Sequence, residues 1–362
     1  MKLRLHFKPV LFSLCLVGFG LQAQHAAPNL LPQTDNQKPP FMGIYEGLPS
    51  QIGLVNEYAA WLNRKVVWGH GSQGWQTWEA IANAPWLFKP WSAWVNALPG
   101  RRFVLSLPML PKGGPDTLAE GATGKYNKSF QSLAKHLIEY KLENSILRLG
   151  WEFDGGWYQW KVMTPEDAKN FTAFWQQIVK TMRAVPGAEK LTFCWNGAGE
   201  NKKFPLEAAY PGDAYVDFVG LDIYDKTWAP GVYPYPPNAT DEQRLTCQKK
   251  AWEVISSGKY GIRAWCDFAK AHKKPFMIPE WGLWRTKGQN MQDGQDGKGG
   301  MDDPYFIQQM FNFIHDPANN VYEAAYWDSR EAKVIPTGGK ESQYPNSAEL
   351  FRKLFSLPAA PQ

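Results

Sequence analysis

Two glutamates stand at the ends of short apolar runs and are each followed by aromatic residues. Glu152 comes after the run at residues 146–150 and precedes a glycine pair and further tryptophans, and Glu280 lies directly before Trp281. An indole ring can stack on the apolar face of a sugar. Two carboxyl groups held at different pKa values can cleave a glycosidic bond. The pattern predicts glycoside hydrolysis, with Glu152 and Glu280 as the catalytic pair.

Eight apolar runs alternate with segments of helical periodicity, which is the pattern of a parallel barrel. The runs cover residues 42–45, 66–68, 103–107, 146–150, 191–195, 218–223, 276–278 and 324–327. Helices are predicted over residues 51–63, 128–141, 164–183, 247–272 and 304–315. We therefore predict an α/β fold in which residues 41–362 form one (β/α)8 TIM barrel, with elaborated loops and the active site at its C-terminal face.

The N-terminus has the features of a secretory signal peptide. Basic residues at positions 2, 4 and 8 precede an apolar run over residues 10–21, and a small-residue cleavage site follows. We expect residues 1–23 to be removed, residues 24–40 to form a flexible leader, and the protein to be secreted or periplasmic. No later apolar run reaches the roughly 18 residues that a transmembrane helix needs, so no membrane contact is expected after signal removal.

Composition favours a carbohydrate ligand over nucleic acid. The net charge of +5 is small for 362 residues and the basic residues are dispersed, which excludes a strongly basic nucleic-acid surface. The chain has 18 Trp, 15 Tyr and 20 Phe, more aromatic surface than a core of this length needs. We expect some of these rings to be sugar platforms, and we expect a monomer whose partner is a polysaccharide or oligosaccharide.

The cysteines do not have the spacing of a metal site. Cys194, Cys247 and Cys266 remain after signal removal, and none belongs to a Cys-x-x-Cys motif or has a neighbouring His. We predict no metal and no cofactor. In an oxidising compartment Cys247 and Cys266 are the candidates for a disulfide, whereas Cys194 ends an apolar run and is expected to be a buried thiol.

The residues around Glu152 resemble a known family. Residues 147–157 are LRLGWEFDGGW, and in this register Glu152 follows strand four and Glu280 follows strand seven. This resembles the clan A retaining glycoside hydrolases and, within them, glycoside hydrolase family 26, the endo-β-mannanases. The resemblance implies that Glu152 is the acid/base and Glu280 the nucleophile. It also implies that Tyr224 donates to the nucleophile and that Trp327 floors the subsite of the scissile sugar. Family 26 usually has His where this chain has Trp151.

Further substrate-binding candidates lie near the predicted strand ends. Arg148 either supplies positive charge in the barrel mouth or pairs with a structural acid, and Tyr224 and Trp327 have rim or core packing as their alternatives. His70 is predicted in a loop after strand two, where it either binds a sugar or is merely solvated. Asp154 would bind a hydroxyl or fix the turn. The remaining candidates are Trp151, Trp157, Trp160, Asn196, Asp222 and Trp281.

These observations predict a secreted retaining hydrolase that cleaves a β-linked polysaccharide internally by double displacement, with β-mannan as the first substrate candidate. A bacterial exopolysaccharide or a β-glucan is the alternative substrate. A non-catalytic polysaccharide-binding protein on the same barrel is the alternative from another class. Retention requires the two carboxyl groups to lie roughly 5 Å apart, whereas a separation near 9 Å would indicate inversion.

Overall fold

The protein folds as a closed barrel of eight parallel strands in sequence order, with β8 paired to β1. The computed structural model describes residues 38–47, 51–200, 203–285, 298–328 and 333–356. The strands are β1 Phe41–Tyr45, β2 Trp68–Ser72, β3 Phe103–Leu107, β4 Ile146–Leu149, β5 Thr192–Gly197, β6 Phe218–Tyr224, β7 Phe276–Gly282 and β8 Val321–Trp327. The predicted (β/α)8 barrel is confirmed.

Helices surround the barrel and connect its strands. They are α1 Ile52–Trp61, α2 Trp78–Ala82, α3 Pro85–Ala97, α4 Leu118–Ala122, α5 Asn127–Glu139, α6 Pro165–Arg183, α7 Asp241–Ser257, α8 Ile262–Ala271, α9 Pro304–His315 and α10 Pro345–Phe355. Short 3-10 helices cover Leu206–Ala209 and Pro317–Asn319. The predicted start of α6 is confirmed: Thr164 and Asp167 form a capping box before its first turn.

The single helix predicted over residues 247–272 is wrong, because it is interrupted between α7 and α8. A side chain at Gly258 would meet the carbonyl oxygen of Val254 at 2.4 Å, and one at Gly261 would meet that of Ile255 at 2.6 Å. Only glycine fits this close return of the backbone. The break lets two shorter helices cover the barrel.

Alternation along the strands separates two layers inside the barrel. Trp68, Val104, Ile146 and Cys194 belong to an apolar cluster near the strand starts. Two residues further along β3, β4 and β5 the inward positions are Ser106, Arg148 and Asn196, because successive side chains point to opposite faces of the sheet. The polar layer therefore lies towards the carboxyl ends of the strands, and the apolar cluster lies towards their starts.

The disulfide predicted between Cys247 and Cys266 is wrong, since the cysteines within the described ranges are all free thiols. Cys247 is buried on α7, whereas the Cys266 thiol, on α8, lies 3.2 Å from the carbonyl oxygen of Asn319. The buried free thiol predicted at Cys194 is confirmed. Cys247 and Cys266 are thus both buried thiols that pack within the fold.

The signal peptide predicted at residues 1–23 and most of the leader predicted at residues 24–40 lie outside the described residues. Among the helices of the described ranges, none combines the length and the apolar character that crossing a membrane requires. Export, the domain limits and a monomeric state stay predictions.

Candidate active site

Arg148 is the centre of a buried polar network at the carboxyl ends of the strands. Its guanidinium donates to Glu280 Oε1 at 2.7 Å and to Asp222 Oδ2. It also donates to Ser106 Oγ at 2.9 Å and to Asn196 Oδ1 at 2.6 Å. Burial alone would lower the pKa of Arg148, but the charges of Asp222 and Glu280 raise it overall. Both alternatives for Arg148 are therefore realised: it brings positive charge to the site and pairs with an acid.

Glu280 is held by two donors from neighbouring strands. It lies within β7 and is 5 % exposed. Arg148 donates to one of its oxygens, and the Tyr224 hydroxyl, at the end of β6, donates to the other at 2.8 Å. Hydrogen bonds from a cation and a phenol stabilise a carboxylate and fix its orientation. The structure thus places Tyr224 against Glu280, as the family resemblance implied.

Glu152 stands on a turn directly after β4, in a conformation that is uncommon for a residue with a side chain. Its φ is +50°, which lies in the left-handed region. The backbone is held there because its N–H donates to the Asn196 carbonyl oxygen at 2.8 Å and its carbonyl accepts from Gly155 N at 2.9 Å. This turn directs the carboxyl group of a half-buried residue towards Asp222 and Glu280.

The environment of Glu152 favours its protonated form. Burial and then the charge of Glu280 raise the pKa of Glu152 to about 8. Lys226 and Arg148 act in the opposite direction, as does the Trp157 indole, which donates to Glu152 Oε2 at 3.0 Å. The site therefore combines a glutamate whose pKa is raised with a second glutamate, Glu280, that accepts hydrogen bonds from Arg148 and Tyr224.

The carboxyl groups of Glu152, Asp222 and Glu280 converge, with one oxygen of each within 4.8 Å of the others. Three such oxygens meet the distance requirement of a cation site. Arg148, however, already donates to Asp222 and Glu280, so that a guanidinium provides the positive charge between them. The donor set fits proton transfer and nucleophilic attack better than metal binding.

Beside Glu152 lies a cavity of about 280 Å³, lined also by Asp222, Tyr224, Lys226 and Trp228. The predicted site residues do not include Lys226 and its ion-pair partner Glu200, which lie on loops after β6 and β5. A lysine two residues after a strand-end tyrosine was the available signal. That signal does not identify the ion pair, because no sequence pattern links Lys226 to a glutamate 26 positions earlier.

Several predicted substrate contacts are wrong because the side chains are buried. Trp160 and Trp281 are completely inaccessible and pack in the core, so neither can stack on a sugar. Asn196 is also fully buried, and its amide bonds Arg148 and the Gly197 carbonyl. Arg148 is 1 % exposed and acts on Glu280 instead of on a substrate.

His70 was predicted in a loop, but it lies within β2 and points into the barrel. Its Nε2 is 2.9 Å from Glu323 Oε1, and both side chains are buried. The solvated alternative is therefore wrong, and a sugar contact by His70 stays a prediction. A side chain at Gly43 would overlap the Glu323 carboxylate at 2.1 Å, so a glycine on β1 leaves room for this pair.

The remaining aromatic candidates differ in exposure. Trp157 is 50 % exposed beside Glu152, so it can present a face to a sugar. Trp327, at the end of β8, stacks on Tyr45 with ring centroids 3.8 Å apart. Trp151 is 7 % exposed, and its indole donates to the Tyr158 hydroxyl at 3.0 Å. Sugar contacts by Trp151, Trp157, Trp327 and Asp222 stay predictions.

Asp154 fixes the turn after β4. Its two carboxylate oxygens accept the backbone N–H groups of Ala198 at 2.7 Å and Glu200 at 2.8 Å. The side chain is 1 % exposed. Of the two roles expected for Asp154, the structure shows the one in which it binds loops together.

Comparison with known proteins agrees with this architecture. Residues 117–247 match the model of glycosyl hydrolase family 26. The solved structure of the Bacillus subtilis mannanase BCman is similar at 15 % identity, covering 90 % of this chain and 88 % of that one, with a TM-score of 0.53. A modular endo-β-1,4-mannanase from Cellulomonas fimi is similar at 18 % identity, covering 88 % and 71 %, with a TM-score of 0.55.

The YdhT protein from Bacillus subtilis is similar at 15 % identity, covering 91 % of this chain and 88 % of that one, with a TM-score of 0.55. At these identities the solved structures show a shared fold. No curated protein matched the chain. The barrel and the match to the family model agree with the glycoside hydrolysis that the two strand-end glutamates predict. The chain is a polysaccharide-degrading glycoside hydrolase that resembles glycoside hydrolase family 26.

Proposed function

We propose that the protein is a retaining hydrolase of a β-linked polysaccharide, with Glu280 as nucleophile and Glu152 as acid/base. The observation that carries this proposal is the approach of an oxygen of Glu152 to within 4.8 Å of an oxygen of Glu280. Retaining enzymes hold their carboxyl groups about 5–5.5 Å apart, whereas inverting enzymes need about 6.5–9.5 Å to admit a water molecule.

In the first step, a Glu280 oxygen attacks the anomeric carbon while Glu152 gives its proton to the departing glycosidic oxygen. The bond to the leaving sugar breaks and a glycosyl ester of Glu280 forms. Esterification removes the Glu280 charge that helps to raise the pKa of Glu152. Glu152 is then better suited to accept a proton from the water that cleaves the ester. Two inversions at the anomeric carbon give net retention.

β-Mannan is the substrate that we propose first, acted on internally by a secreted or periplasmic enzyme. Support comes from the family match and from similar structures that are mannanases by name. A bacterial exopolysaccharide or a β-glucan is the alternative, because Trp151 replaces the family's usual His. The non-catalytic alternative is disfavoured, since a binding protein has no need of a nucleophile held by Arg148 and Tyr224.

A panel of polymers tests the proposed function. Purified protein is incubated with β-mannan, mixed-linkage glucan, xylan and bacterial exopolysaccharides, and the released oligosaccharides and their anomeric form are measured. We expect cleavage of β-mannan with release of the β-anomer. If another polymer is cleaved, the mannan assignment fails. Binding to a polymer without any cleavage would favour the non-catalytic alternative.

The pH dependence of activity follows from the state of Glu152. It can donate only when protonated, and burial together with the Glu280 charge raises its pKa to about 8. The protonated fraction is therefore nearly complete at neutral pH and is lost as the pH rises through 8. We expect kcat/KM to decrease above about pH 8, approaching tenfold per pH unit.

Trp157→Phe tests whether Glu152 sets this profile, because the substitution removes an indole N–H that stabilises the Glu152 carboxylate. The alkaline limit of activity should then move to higher pH. An alkaline limit near pH 5 in the wild type would show that Glu152 is not the acid in the free enzyme.

A further inference from the structure

An ion pair lies beside Glu152 in the same cavity. Lys226 Nζ is 3.1 Å from Glu200 Oε1, and both residues line the cavity with Glu152. The side chains are only 20 % and 27 % exposed, so their charges are incompletely screened by water. Neither residue has a role in the double displacement described above.

The backbones of Lys226 and Glu200 are both held in place by hydrogen bonds to other segments. Asp154 accepts the backbone N–H of Glu200, which joins the loop after β5 to the turn that holds Glu152. Lys226 pairs with Gly299 in an isolated antiparallel bridge. Its ammonium lies over the rings of Tyr224, Trp228 and Trp284, with 5.7, 5.4 and 5.1 Å to their centroids. A lysine enclosed in this way has little freedom to turn away from the cavity.

The ionisable groups around Glu152 come from several elements. Glu280 on β7 and Asp222 on β6 bring carboxylates, Arg148 on β4 brings a cation, and Tyr158 brings a phenol from the loop after β4. Arg148 is already bound to the two carboxylates. Lys226 is a further cation that lines the cavity beside Glu152 and acts on its carboxyl group, and Glu200 offsets part of its charge.

We propose that the Lys226–Glu200 ion pair sets the pH range over which Glu152 holds its proton. Lys226 stabilises the ionised carboxylate, and Glu200 limits that effect by pairing with the lysine. The two residues act through Glu152 and are positioning residues. The inference rests on the proposed function only for the catalytic role of Glu152; the electrostatic coupling itself is independent of any substrate.

The Trp157 indole gives a direct readout without substrate, because its N–H donates to Glu152 Oε2. Its proton and nitrogen chemical shifts are followed by NMR across pH in 15N-labelled protein, and Trp157→Phe identifies the signal by removing it. In Lys226→Gln the titration midpoint should move up by on the order of 0.5 to 1 pH unit. In Glu200→Gln it should move down, because the lysine charge is no longer offset.

The matched control is Lys169→Gln, which removes an exposed lysine near Glu166 on α6 and should leave the midpoint unchanged. Shifts of opposite sign in the two variants support the inference even if no polymer is cleaved, in which case only the proposed function fails. Unchanged midpoints in both variants overturn it, even if a polymer is cleaved. Shifts of the same sign would also overturn it, because they indicate a change of structure in place of a charge effect.

Discussion

Replacing Glu280 with Gln is expected to abolish hydrolysis, lowering kcat by on the order of 10⁴- to 10⁶-fold, as loss of a nucleophile does in other covalent mechanisms. The amide keeps the shape of the side chain but cannot form the glycosyl ester. Glu152→Gln should lower kcat by about 10²- to 10⁴-fold, the usual contribution of general acid–base catalysis. Oligosaccharide release from the polymer that the panel identifies measures both effects.

An aryl glycoside separates the two roles. Its leaving group departs without protonation, so Glu152→Gln should still form the glycosyl ester and release a burst of phenol, whereas Glu280→Gln should give none. The control is Glu46→Gln, since Glu46 follows β1, is 8 % exposed and also has its pKa raised, by burial first, to about 8. It should retain activity within tenfold of the wild type. Cleavage that survives in Glu280→Gln would contradict the assignment.

Arg148→Met should lower the free energy of unfolding by about 3–5 kcal/mol, the range found when one partner of a buried ion pair is removed. The substitution keeps much of the volume but leaves Glu280 and Asp222 inside the barrel without their shared cation. Urea denaturation at neutral pH measures the change. Arg148→Lys should recover only part of the loss, because one ammonium cannot reproduce four directed hydrogen bonds.

The control for this prediction is Lys169→Met, which breaks an exposed pair with Glu166 on α6. Its loss should be about 1 kcal/mol or less, as for other ion pairs near solvent. Suppose that Arg148→Met lowers the free energy of unfolding no more than the control does at neutral pH. The carboxyl group of Glu280 or Asp222 must then have taken up a proton. The cost should then increase at higher pH.

The order of the strands and the convergence of Glu152 and Glu280 were predictable because they depend on local patterns. Each strand is a short apolar run, and a parallel barrel brings the residues after its strands to one face. Glu152 and Glu280 could therefore be placed together from their positions after the fourth and seventh runs. The start of α6 was predictable for the same reason, because the capping box at Thr164 is a pattern of neighbouring residues.

What could not be predicted depends on contacts between distant residues or on weak strand signals. The second strand was placed at residues 66–68, but it covers Trp68–Ser72, where two glycines hide the strand character. His70 was misplaced for this reason. Trp160 and Trp281 have the same residue type as the exposed Trp157, and only packing distinguishes a core ring from a platform. Lys226 and Glu200 are likewise distant in the sequence, and only the fold brings them into contact.

The left-handed backbone at Glu152 opposes efforts to stabilise this enzyme. A side chain in that region costs on the order of 1–2 kcal/mol relative to glycine, so selection for thermal resistance alone would favour glycine at the position that we propose supplies the proton. The hydrogen bond from the Glu152 N–H to Asn196 and the one from the Gly155 N–H to Glu152 hold the glutamate in place against that preference. Activity and stability are thus in conflict at a single φ angle, and a thermostable variant should be sought elsewhere in the barrel.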